Sequence, residues 1–120
     1  MTRELRPGDQ PLPIPQLEVM GSHRWVIRQL RMHRGLPAAL RAATESRLVA
    51  REQLGLDRYG TVLAPHNGRD VMQDVWEESV DQVVYLATAV REGLPVRELY
   101  DRAVDLMLDV VAFLERTPRR

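Results

Sequence analysis

Cysteine is missing from all 120 residues of the chain. Its absence excludes disulfides, thiolate metal ligands and a cysteine nucleophile. Lysine is missing too, so all 17 basic residues are arginine. Schiff-base chemistry and the phosphate-binding lysine of a P-loop therefore have no residue to carry them. Aromatic residues make up only 5% of the chain, with a single phenylalanine. No apolar run is long enough to span a bilayer, and a membrane partner is not expected. The segment MTRELRPGDQPLPIPQ has no apolar stretch of the secretory kind, so a cytoplasmic location is the expectation.

What remains is balanced in composition. Hydrophobic residues at 44% and charged residues at 28% are the proportions of a globular protein. The net charge is zero, but it is unevenly placed. Residues 1–58 hold ten arginines against six acids, and residues 59–120 hold seven against eleven. The two halves can neutralise each other within the fold or across an oligomer. A strongly basic footprint is lacking, so nucleic acid is not an expected partner.

Proline and glycine divide the chain. Pro7, Pro11, Pro13 and Pro15 deny residues 1–16 regular hydrogen bonding and predict an extended arm. Residues 17–120 then read as one helical domain. Within 22–34, Ser22 is a candidate cap, Val26, Ile27 and Leu30 give an apolar side, and Arg24, Arg28, Arg31 and Arg34 form a basic stripe. Gly35-Leu36-Pro37 stops and restarts the chain. A helix over 38–54 would turn Leu40, Ala43, Leu48 and Leu54 inward and end at Gly55. Asn67 is the predicted cap of a long helix reaching Glu92, after which Gly93-Leu94-Pro95 repeats the stop-and-restart device. The last helix, 96–116, would bury Leu99, Val104, Met107, Leu108, Val111 and Leu114. No strand pair is legible. The predicted fold is all-α, a bundle of about four helices behind a proline-rich arm.

The chemistry concentrates in RDVMQDVWEESVDQVVYL, residues 69–86. At helical period, Asp70, Asp74, Glu77, Glu78 and Asp81 gather on one side. Close carboxylates repel unless a cation or a row of arginines lies among them. Magnesium takes hard oxygen ligands and lets substrate phosphates finish its shell. Asp101, Asp105 and Asp109 repeat every four residues on the next helix and would face the first row if the two helices pack antiparallel. The competing arrangement is a salt-bridged face, with the Arg24–Arg34 stripe lying against the acids.

EESVDQVVYLATAV resembles the ExxD helix of the MazG-like all-α nucleoside triphosphate pyrophosphohydrolases. The wider string RYGTVLAPHNGRDVMQDVWEESVDQVVYL resembles small actinobacterial and phage proteins grouped with that family. The resemblance spans about residues 58–92. It implies a helical bundle, dimeric or higher, that uses Mg²⁺ to cut a nucleoside triphosphate to a monophosphate and pyrophosphate. Glu78 and Asp81 match ExxD. Asp74 and Glu77 are adjacent extras. Asp105 and Asp109, whose spacing is not the family's, would complete a metal set of Asp74, Glu78, Asp81, Asp105 and Asp109, with Glu77 and Glu78 as catalytic carboxylates. Arg58, Arg69 and His66 are the candidate substrate contacts. The family's second acidic group, EExxE, has no match: the preceding helix offers only Glu45 and Glu52, beside Arg47 and Arg51. A second expectation therefore stands beside the enzyme, a non-catalytic helical module that self-associates or binds a partner.

Overall fold

Residues 10–117 are described by the computed structural model, and every regular element among them is an α-helix. These are α1 (Ser22–Arg31), α2 (Ala38–Tyr59), α3 (Val71–Arg91) and α4 (Arg97–Arg116). The expected all-α fold of about four helices is what the described residues form.

The helix ends follow local chemistry, though not always at the expected residue. α1 begins after Gly21 rather than under a Ser22 cap. Ser22 instead donates its backbone N–H to the Leu63 carbonyl at 2.7 Å. A Cβ on Gly21 would stand 2.9 Å from Val62 Cγ2, so this approach needs glycine. α2 runs through Gly55 and stops at Gly60, which takes the left-handed conformation at φ 74°. One interior glycine costs a helix about 1 kcal/mol, which 22 residues of helix absorb. The Gln53 amide also bonds the Asp57 carboxylate across Gly55 at 2.9 Å. α3 is capped by Asp70, whose Oδ1 accepts from the Gln73 N–H at 3.1 Å. Asn67, the expected cap, closes a turn instead, its Oδ1 accepting from the Arg69 N–H.

The chain divides into two compact units. Gln10–Arg69 is one, and residues 70–117 form the described part of the other. In the first, α1 packs on α2. Arg24 pairs with Glu52 at 3.0 Å and Arg31 with Glu45 at 3.1 Å. Two members of the basic stripe are therefore matched to acids of α2, not to the acidic row of α3. Ile27 and Ala64 are buried here. Of the expected arm, residues 1–9 lie outside the described residues. The remainder is tied to the loop after α2: Ile14 N–H donates to the Asn67 carbonyl at 2.7 Å, and Arg69 Nη1 donates to the Pro11 carbonyl at 2.9 Å.

In the second unit α3 and α4 pack as a helical hairpin. Its buried residues are small or slender: Ser79, Gln73, Ala103 and Val110. Several residues expected in a core are exposed instead, among them Leu40 (55%), Leu54 (47%), Leu99 (47%) and Leu108 (56%). The reason is geometric. A two-helix layer has a single inner face, while these helices carry apolar residues over a wider arc.

Candidate functional site

Along α3, Glu78, Gln82 and Tyr85 follow at spacings of four and three, which places them on one side of the helix. Leu99, Arg102 and Leu106 do the same on α4. The two rows, with Asp81, Leu86 and Ala103, bound an open groove of about 620 Å³. Ala103 is 7% exposed, and its small side chain lets the helices approach.

The two carboxylates of the ExxD string, Glu78 and Asp81, both line this groove, and both are exposed. They stand three residues apart on one helix, within reach of a common ligand. Arg102 faces the same space from α4 without closing an ion pair to either. Tyr85, 73% exposed, adds an open aromatic face. The groove thus combines two anions, one guanidinium, one amide and a ring.

The other predicted site residues lie elsewhere. Glu77 is half-buried and off the groove lining, its Oε1 accepting from Gln73 Nε2 at 3.4 Å. Asp74 sits in the first turn of α3, where a negative charge suits the helix dipole. Asp105 and Asp109 are exposed on α4 but not on the groove. At about 100° per residue Asp105 projects about 60–100° round the helix from Arg102 and Leu106. Asp109, though nearly in line with Arg102, lies about two turns further along the axis. Among the described residues no three histidines or acids come together as a metal-holding group. The expected convergence of Asp74, Glu78, Asp81, Asp105 and Asp109 on one ion is therefore not formed within the single chain.

The candidate substrate contacts belong to the Gln10–Arg69 unit. The Arg58 guanidinium lies 5.9 Å from the centre of the Tyr59 ring. Arg69 holds the arm through Pro11. His66 adopts φ 58°, uncommon for a residue other than glycine.

The chain matches no family model, no curated protein and no solved structure.

Magnesium keeps much of its hydration and commonly takes one or two protein carboxylates plus phosphate oxygens. Glu78 and Asp81 fit that mode of binding. They do not fit a closed protein cage, which needs more donors than the groove offers. Tyr85 and Arg102 are not among the candidate residues singled out from the sequence. The spacing 78–82–85 carried the signal that Tyr85 shares a face with the ExxD pair, and 99–102–106 only that Arg102 shares a face with Leu99 and Leu106. Which faces would meet was not legible from either helix alone.

Proposed function

We propose that the protein is a MazG-like, magnesium-dependent nucleoside triphosphate pyrophosphohydrolase that works as a homo-oligomer. One observation carries the reading: both residues of the ExxD match, Glu78 and Asp81, line the same groove as Arg102. In this reading Glu78 and Asp81 hold the ion, which, when bound, offsets the charge of the phosphates. Arg102 contacts a phosphate oxygen as a fixed, permanently charged donor. Tyr85 offers its ring to the nucleobase, and Gln82 supplies both donors and an acceptor for a base edge. The proton of the attacking water goes to Glu78 or Asp81, the two carboxylates on the groove lining, while Glu77, held by Gln73 beside the groove, supports them. Water is delivered to the anhydride that releases pyrophosphate.

A non-catalytic partner-binding module is the second reading, favoured by the many exposed apolar side chains and by the lack of a third acid at the groove. The two separate on one measurement. Pyrophosphate release from nucleoside triphosphates should require Mg²⁺ and fall at least about a hundredfold in Glu78→Gln. A wild-type chain that neither turns over triphosphates nor gains thermal stability from triphosphate and Mg²⁺ together favours the module.

A further inference from the structure

The two units carry opposite charge. Residues 10–69 hold nine arginines and four acids, whereas residues 70–117 hold four arginines and eleven acids. On α2, Arg47, Arg51 and Arg58 are spaced four and seven apart, which keeps them within about 40° of one another around the helix. On α4, Glu98, Asp105 and Asp109 are spaced seven and four, with the same narrow spread. All six are exposed, and none makes an ion pair within the described residues. Read in opposite directions, the two rows have identical spacing, about 10 Å and then 6 Å along the axis. Each row has apolar company. Leu54 shares the arginine face of α2, and Leu106 lies in the row beside the acids of α4, both close to half exposed.

We propose that α2 of one copy lies antiparallel along the acidic edge of α4 in a second copy. Arg58 then faces Glu98, Arg51 faces Asp105 and Arg47 faces Asp109, while the flanking leucines leave water. Pairing one α3–α4 hairpin with another of its kind would instead bring two strongly acidic surfaces together. Under two-fold symmetry the contact occurs twice and closes the assembly as a dimer. The inference rests on the self-association proposed above and not on catalysis: none of the six charged residues lines the groove, which the contact meets at Leu106.

Charge exchange tests it. One variant carries Arg47→Glu and Arg51→Glu, the other Asp105→Arg and Asp109→Arg, with helix content checked by circular dichroism. The wild-type chain should sediment as a dimer of a 13.8 kDa protomer at low salt and dissociate at about 1 M salt, where screening reaches roughly 3 Å. Each variant alone should associate at least about tenfold more weakly. An equimolar mixture should recover the wild-type dimer, because both contacts again join opposite charges. A monomer at every salt concentration overturns the pairing and the self-association together. A salt-indifferent dimer, or variants whose mixture gains nothing, overturns the pairing and leaves self-association standing.

Discussion

Single carboxylates do unlike work in this chain, and their surroundings decide which. Glu52 is 8% exposed, and Arg24 satisfies it with contacts of 3.0–3.2 Å. A buried carboxylate without such a partner would be costly, so this acid is structural. Asp70 acts on the backbone, accepting one of the unsatisfied donors at the start of α3. Asp70→Ala should lower stability by about 0.5–2 kcal/mol, whereas Asp70→Asn should keep most of the cap. Urea unfolding of both variants checks this; equal losses would show that charge, not capping, matters there. Glu78 and Asp81 differ again. Exposed on a groove wall, they keep their hydration and stay available to a ligand.

At the scale of elements, α2 shows how one residue type acts oppositely at two places. Gly55 lies within the helix with nothing near the position of a Cβ. Gly60 ends the helix at φ 74°. Gly55→Ala should stabilise the chain by about 0.5–1 kcal/mol, and Gly60→Ala should destabilise it by roughly 1 kcal/mol. Thermal midpoints moving in opposite directions would bear this out. The same comparison explains the misplaced helix end. Gly55 and Gly60 both read as stop signals, and choosing between them requires knowing that the helical bonding continues to Tyr59. The repeated Gly-x-Pro devices were easier, because proline restricts the backbone whatever its neighbours do.

At the scale of the whole molecule, the decisive fact is how little each unit encloses among its described residues. Among the described residues the buried hydrophobic ones are Ile27, Ala64, Ala103 and Val110, while Trp25, Leu40, Val84, Tyr85 and Leu108 are open. Two-helix layers of this kind gain stability when a further surface covers them. The midpoint of thermal unfolding should therefore rise with protein concentration, as mass action requires of a folded oligomer. A midpoint unchanged over a hundredfold dilution, roughly, would mean the single chain is self-sufficient. No helix among the described residues is long and apolar enough to cross a membrane.

Periodicity and punctuation, both local, determined the all-α fold, the approximate helix boundaries and the clustering of acids on α3. They depend on bonds between residues a few positions apart, which a linear string displays. Only the tertiary structure decided which acids are matched by arginine, that Arg24 and Arg31 turn to α2, and that Asp105 and Asp109 stay off the groove. Such outcomes depend on the rotation of one helix against another. A helix with apolar residues over a wide arc permits several rotations, and close packing at small residues such as Ala103 selects one.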